Sequence, residues 1–208
     1  MSSSTPSGVY NITLESGNVM SAYCDMDTLG GRWTVIQKRY DGSLNFYKSW
    51  EEYKQGFGDL NFEFWLGNEN MHLLTSSGSH ELRIEMEDVD GNAYYASYNS
   101  FSVDGESSDY LLSVSGFSGD VFKDQMQFND YTRFSTKDSD NDDYSTQDCA
   151  ENLQGGWWYA ACGTSNLNGA YNPSHSSDET AMHWRELTDT SPYCTTLRAC
   201  KMMIRPVT

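Results

Sequence analysis

The segment "DSDNDDYSTQDC" (138–149) places five aspartates, Asp138, Asp140, Asp142, Asp143 and Asp148, within eleven positions. Crowded carboxylates repel one another, so the stretch favours a solvated coil unless a cation offsets the charge. Alternate residues of an extended loop point the same way. Asp138, Asp140 and Asp142 can therefore converge on one point, with downstream carbonyls completing an oxygen shell. Hard cations such as calcium take six to eight oxygens at ~2.3–2.6 Å. The EF-hand pattern fails, because Asp143 stands where that loop needs glycine and Cys149 where it needs a bidentate glutamate. Spacing alone also permits an acidic loop that is only solvated.

The segment "CAENLQGGWWYAACGTSNLNGAY" (149–171) follows directly, with Trp157, Trp158 and Tyr159 after a glycine pair. Large aromatics in such a loop either plug the core beneath it or line a pocket. No HExxH, GxSxG, Walker or dinucleotide glycine pattern accompanies the four histidines. The protein is accordingly expected to be non-catalytic.

The formal net charge of −17 argues against nucleic acid, which requires clustered Lys and Arg. It also disfavours anionic membrane surfaces and fits a protein that binds cations or a basic or neutral partner. No apolar run approaches the ~20 residues of a membrane span, so no membrane insertion is expected. The opening "MSSSTPSGVY" lacks the basic start and apolar stretch of a signal peptide. It reads as an initiator Met and a flexible lead-in (1–6) to a domain over 7–208, in a piece of something longer.

None of Cys24, Cys149, Cys162, Cys194 and Cys200 forms a CxxC pair, which speaks against zinc ribbons and thioredoxin-like sites. Cys149 and Cys162 bracket the tryptophans, and Cys194 and Cys200 stand six apart. Two local disulfides would leave Cys24 alone, its partner lying upstream or the pairing being different. Asn11-Ile12-Thr13 is a glycosylation sequon in keeping with a secreted, extracellular origin.

The elements that must position these groups are legible in part. "GGRWTVIQKR" (30–39) reads as a strand. Ser49 with Glu52 forms a capping box for a short helix that stops at Gly56. A second helix falls within 67–78. Leu82, Ile84 and Met86 alternate with charges before an Asp90-Gly91 hairpin turn and an aromatic strand around Tyr94 to Tyr98. Leu111, Leu112 and Val114 make another strand, and "KMMIRPVT" a closing one. Residues 118–195 show little periodicity, and so long a loop region needs an ion or a disulfide to hold it. The fold class is α+β, with a regular antiparallel half and a loop-built half.

The sequence resembles the fibrinogen-like domain family, the recognition module of fibrinogen, ficolins, tachylectins, tenascins and angiopoietins. The resemblance rests on "SGVYNI" (7–12), "YCDMDTLGGRWTVIQKRYDGSLNFYKSWEEYKQGFG" (23–58), "EFWLGNEN" (63–70), "FSTKDSDND" (134–142), "GGWWYAACGTSNLNGAY" (155–171) and "KMMIRP" (201–206), in order along the whole length. It implies a small N-terminal subdomain, a central antiparallel sheet with helices, and a loop-rich subdomain that binds. It implies calcium (Ca2+) held by Asp140 and Asp142 and by the carbonyls of Tyr144 and Thr146. Asp140 lies one residue further from Cys149 than the family pattern has it, so Ser145 is an alternative to either carbonyl.

The resemblance also implies a Cys149–Cys162 disulfide and a cis peptide at Ala161–Cys162. A local Cys194–Cys200 disulfide is expected across a stretch about two residues longer than usual. Cys24 matches a cysteine whose partner in relatives lies upstream. The implied ligand site beside the calcium loop comprises Asn152, Leu153, Trp158, Tyr159, Ala161, Cys162, Gly163, Asp178 and Glu179. Leu153 and Gly163 stand where lectin-like members carry a Tyr and a His that contact acetyl groups. Glu179 aligns with the carboxylate that receives a basic peptide end in fibrinogen. The implied function is a secreted, calcium-binding recognition module (lectin-like pattern recognition in innate immunity) for microbial or cell-surface glycans and acetylated or charged ligands. The alternative is an angiopoietin-like receptor ligand or adhesion module with a protein partner. Oligomerisation is expected through regions outside this fragment.

Overall fold

The computed structural model describes residues 5–14, 17–191 and 193–207. Residues 1–4 of the expected lead-in lie outside them. The fold opens with β1 (Gly8–Thr13), β2 (Val19–Asp25) and β3 (Trp33–Arg39). Helix α1 (Trp50–Gln55) carries the expected reciprocal capping box between Ser49 and Glu52. Two short strands, β4 (Phe57–Gly58) and β5 (Phe64–Trp65), lead to α2 (Asn68–Thr75).

The long strands β6 (His80–Asp88) and β7 (Ala93–Val103) follow, joined by a turn at Val89–Asp90. Asp88 fixes that turn, its carboxylate accepting from the N–H groups of Asp90 and Asn92. Strand β8 (Leu112–Gly119) pairs back onto β7. In β6 buried and half-buried residues alternate without a break. Leu82, Ile84 and Met86 face the core while Glu81, Arg83, Glu85 and Glu87 face outward.

Beyond β8 the elements shrink: β9 (Phe134–Ser135), α3 (Cys149–Leu153), β10 (Trp157–Trp158), β11 (Ser165–Asn166) and β12 (His183–Arg185). The last strand, β13 (Cys194–Pro206), runs 13 residues. The main sheet is antiparallel, in the order β1-β2-β3-β13-β6-β7-β8. The closing strand is thus central, seated between β3 and β6. Among the described residues no helix is long and apolar enough to cross a membrane.

The long course of β13 corrects one expectation. Cys194 and Cys200 lie on the same extended strand, where six residues span about 20 Å. A disulfide needs Cα atoms within about 7 Å. Both are buried free thiols, as is Cys24. The Cys149–Cys162 bond is present, with Cα atoms 5.0 Å apart.

The loop-built half is held by buried amide side chains as well as by its disulfide. Gln37 Nε2 on β3 donates to the Leu167 carbonyl at 2.8 Å, and Asn129 Nδ2 to that of Trp158 at 2.6 Å. Asn166 and Asn168 donate to Leu153 and Gly156 at 2.8 and 2.9 Å. The Arg39 guanidinium, 1% exposed, reaches the carbonyls of Leu167 and Gly169. At Gly156 the backbone lies against Tyr53 so closely that a Cβ would sit 2.5 Å from the ring, and only glycine fits. Beneath the loops Trp65, Phe134 and Trp158 meet edge-on or tilted, with centroids 5.1–6.0 Å apart.

Candidate metal centre and binding rim

The aspartate loop is shaped by its own side chains. Asn141 donates to the Phe134 carbonyl at 2.9 Å, and its N–H to Ser135 Oγ at 3.0 Å, so the loop is anchored on β9. Asp142 Oδ1 accepts from the Tyr144 N–H at 2.7 Å and its Oδ2 from the Cys149 N–H at 2.8 Å. Asp148 caps α3, accepting from the Glu151 N–H at 2.9 Å. These constraints bring one carboxylate oxygen each of Asp140, Asp142 and Asp148 within 4.8 Å of one another.

Three convergent oxygens without nitrogen or sulfur suit a hard cation rather than zinc or copper. Burial, and then the neighbouring Asp140 charge, push the Asp142 carboxyl up from its ordinary value. A cation would relieve that cost. The donor set therefore fits calcium: Asp140, Asp142 and Asp148 would hold it. Tyr144 and Thr146 lie on the turn between the second and third of these, where the Tyr144 carbonyl accepts from the Gln147 N–H at 3.2 Å.

One aspartate leaves the role that spacing gave it, and another fills it. Asp138 does not join the cluster; its Oδ1 accepts from the Trp50 N–H at 2.9 Å and from Thr136 Oγ1 at 2.8 Å, bracing the first turn of α1. The turn of mutual backbone hydrogen bonds between Thr136 and Ser139 directs it there, so strict alternation does not hold. Asp148 takes its place. The available signal was its position as an N-cap aspartate directly before Cys149.

The loop is continuous with a rim. The Asp143 N–H donates to the Ala160 carbonyl at 3.0 Å, and Cys149 is bonded to Cys162. The Ala161–Cys162 peptide is trans, correcting the cis expectation; the backbone turns at Cys162, whose φ is +56°. The Arg185 N–H then donates to the Thr164 carbonyl at 2.9 Å, and its guanidinium pairs with Glu179 at 3.3 Å. Ala161 and Glu179 are exposed, and Cys162, Gly163 and Asp178 half-buried. A hydrogen bond from Thr180 holds the Asp178 carboxyl below its ordinary value. Asn152 is exposed and donates to Gln147 at 3.1 Å.

Three expected ligand contacts are instead core. Trp158 and Tyr159 are fully buried and Leu153 is 6% exposed. Trp158 Nε1 donates to the Tyr110 carbonyl at 2.8 Å and Tyr159 OH to that of Gly155 at 3.0 Å, so their polar atoms are satisfied inside. The rim gains two residues that sequence reasoning missed. Arg185 neutralises Glu179 and lies over the ring of Tyr193 at 3.8 Å, and Tyr193 is 60% exposed. Nothing local in the sequence marks that pair, since β12 and the start of β13 bring them together.

Comparison with known proteins agrees with this architecture. The family model "Fibrinogen beta and gamma chains, C-terminal globular domain" matches residues 1–207. Fibrinogen-like protein A of Apostichopus parvimensis is 50% identical over 171 residues, 81% of this chain and 60% of that protein. Angiopoietin-4 of Bos taurus is 43% identical over 96% of this chain and 40% of its own length. Human ficolin-3 is 45% identical over 83% and 58%. The sequence thus spans between 40% and 60% of the length of these relatives. Among solved structures, the fibrinogen-like globe domain of human ANGPTL6 superposes with a TM-score of 0.90 at 40% identity, covering 100% of this chain and 91% of that one. Lamprey fibrin D-dimer, solved with the peptide Gly-His-Arg-Pro-amide, gives 0.84 at 33% identity, over 98% and 70%.

Proposed function

The protein belongs to the fibrinogen C-terminal globular domain family, and on that footing we propose that it is a secreted, non-catalytic recognition module with a calcium-organised rim. The observation that carries this reading is the convergence of Asp140, Asp142 and Asp148 on a loop tied directly to the Ala160–Thr164 segment and, through Arg185, to Glu179. Calcium, when bound, supplies the positive charge that offsets the three carboxylates. The protein's own residues do the rest. Asp142 and Asp148 pin backbone N–H groups, the disulfide fixes the rim to α3, and Asp178, held ionised by Thr180, gives one side an acidic character beside the Arg185–Glu179 pair.

That side suits hydroxyl-rich or cationic groups. Gly163 contributes no side chain and Leu153 is buried, so an acetyl group would be recognised through backbone and rim atoms. Ligands of this chemistry on microbial or cell surfaces make innate defence the leading role, with oligomerisation through parts of the longer protein outside this domain. A glycan array read with calcium and with EDTA tests it. Binding that disappears with the chelator is expected, and array-wide silence with calcium present refutes it.

One observation favours a second reading. Tyr193, exposed and stacked against Arg185 at the rim, has the aromatic-plus-arginine character of a protein–protein anchor. An angiopoietin-like receptor ligand or adhesion module would bind a protein partner through it, and Tyr193→Ala would then abolish binding without altering any sugar response.

A further inference from the structure

We propose a second ligand site, on the outward face of the central sheet, that takes a small organic monoanion: a carboxylate carried on an apolar ring. The groove has a volume of about 460 Å³ and crosses β3, β13, β6 and β7, a size within the ~300–1,000 Å³ of ligand pockets. It shares no residue with the metal loop or rim. Ala199 on β13 and Ala93 on β7 put methyl groups among long side chains and so open the depression. Tyr40 and Tyr95 provide aromatic walls.

Lys38 is the residue the fold leaves unsatisfied. Among the described residues, four of the other five lysines pair with a carboxylate and the fifth, Lys137, donates to a carbonyl. Among the described residues the half-buried Lys38 ammonium has no ion pair or hydrogen bond, and it lies over the rings of Tyr23 and Tyr40, 5.1 and 5.4 Å from their centroids. Burial, and then the neighbouring Lys201 charge, lower its pKa. The adjacent cations are already engaged. Lys201 lies 2.7 Å from Asp25 and 2.9 Å from Glu85; Arg83 pairs with Glu85 at 3.0 Å and stacks on Tyr95 at 4.2 Å. One cation is therefore left to receive an anion.

The charge balance selects the ligand. Arg39 turns its guanidinium inward to the Leu167 and Gly169 carbonyls, and Lys201 and Arg83 are paired with Asp25 and Glu85. Lys38 is therefore the one ammonium on this face open to an anion, with Glu85, Glu87 and Asp120 nearby. A monocarboxylate matches that single ammonium, whereas a phosphate dianion would meet more repulsion from the three carboxylates. The tyrosine walls add stacking for a ring, which an inorganic anion cannot use.

The test is an NMR amide-shift titration of the calcium-loaded protein with sodium indole-3-acetate, against the neutral indole-3-ethanol and sodium sulfate. Saturable shifts confined to β3, β6, β7 and β13 are expected, with binding at least about tenfold weaker for the alcohol, for sulfate and in Lys38→Met. Lys38→Arg keeps the charge and should retain binding, as should wild type in EDTA. Absent or non-saturable shifts, equal binding of the alcohol or sulfate, undiminished binding by Lys38→Met, or loss in EDTA would each overturn the proposal.

Discussion

Asp138, Asp140 and Asp142 are one residue type at even spacing, yet the structure gives each a different task, and substitution should separate them. Asp140 is exposed and accepts only from the Asp142 N–H, at 3.3 Å. Asp140→Ala removes a repelling charge and little else. Its metal-free stability should match wild type or rise by about 0.5 kcal/mol, while the calcium-induced increase in Tm disappears. Asp142→Ala also strips the acceptor from the Tyr144 and Cys149 N–H groups, so metal-free stability should fall by roughly 1–3 kcal/mol. Asp138→Ala should cost about 1 kcal/mol through the first turn of α1 and leave the calcium response intact. Calorimetry of the three variants with and without calcium reads all of this. A full calcium response in Asp140→Ala would remove that residue from the metal site.

Elements joined by periodic apolar residues were legible, and elements joined by single polar contacts were not. The Ser49–Glu52 cap, the alternation of Leu82, Ile84 and Met86, and the Asp90-Gly91 turn each declare themselves within a few residues, because their hydrogen bonds and buried faces are local. On β13, Met202 pairs with Gln37 of β3 and Ile84 of β6, both more than 100 positions earlier, so the central seat of that strand and the separation of Cys194 from Cys200 could not be read locally. At the candidate site, the Asp140–Asp142 pair and the Cys149–Cys162 bond followed from family resemblance, whereas Asp148, Arg185 and Tyr193 depend on how distant loops meet. The pegs of the connecting loops are equally silent. Glu63 is 2% exposed, and its carboxylate accepts from the N–H groups of Tyr40, Asp41, Gly42 and Leu44 at 2.7–3.1 Å. Glu63→Ala should therefore destabilise by about 3 kcal/mol, with amide exchange rising first at residues 40–44; protection there equal to wild type would discount the role. Replacing Cys149 and Cys162 together by serine removes a cross-link over a sequence separation of 13 and should cost about 3 kcal/mol in a urea melt, and weaken calcium uptake because α3 loses its tether to the rim.

At the scale of the molecule, the sheet is clamped by one lysine. Lys201 on β13 reaches Asp25 on β2 and Glu85 on β6, linking strands on either side of the central one. Burial alone would raise the Asp25 carboxyl, but the Lys201 hydrogen bond, the Thr28 N–H and the Lys201 charge outweigh it and hold the group at about 2. An unfolded aspartate titrates at about 3.9. A carboxyl depressed in the folded state contributes stability that is complete above the unfolded value and is lost as pH falls through the folded one. The relevant window is therefore about pH 4 down to pH 2. Lys201 keeps partial access to solvent, so the contribution is roughly 1–2 kcal/mol after screening. A protein of net −17 also loses self-repulsion as its carboxylates protonate, and this opposes the loss of the clamp. Lys201→Met separates the two. It leaves the relief of repulsion in place while removing most of the Asp25 depression, so its stability relative to wild type should be lowest near neutral pH and converge with it as pH falls to about 2. Urea melts at intervals from pH 7 to pH 2 measure this difference. A gap between the two proteins that stays constant across that range would show that the lysine contributes packing alone and that acid unfolding starts elsewhere.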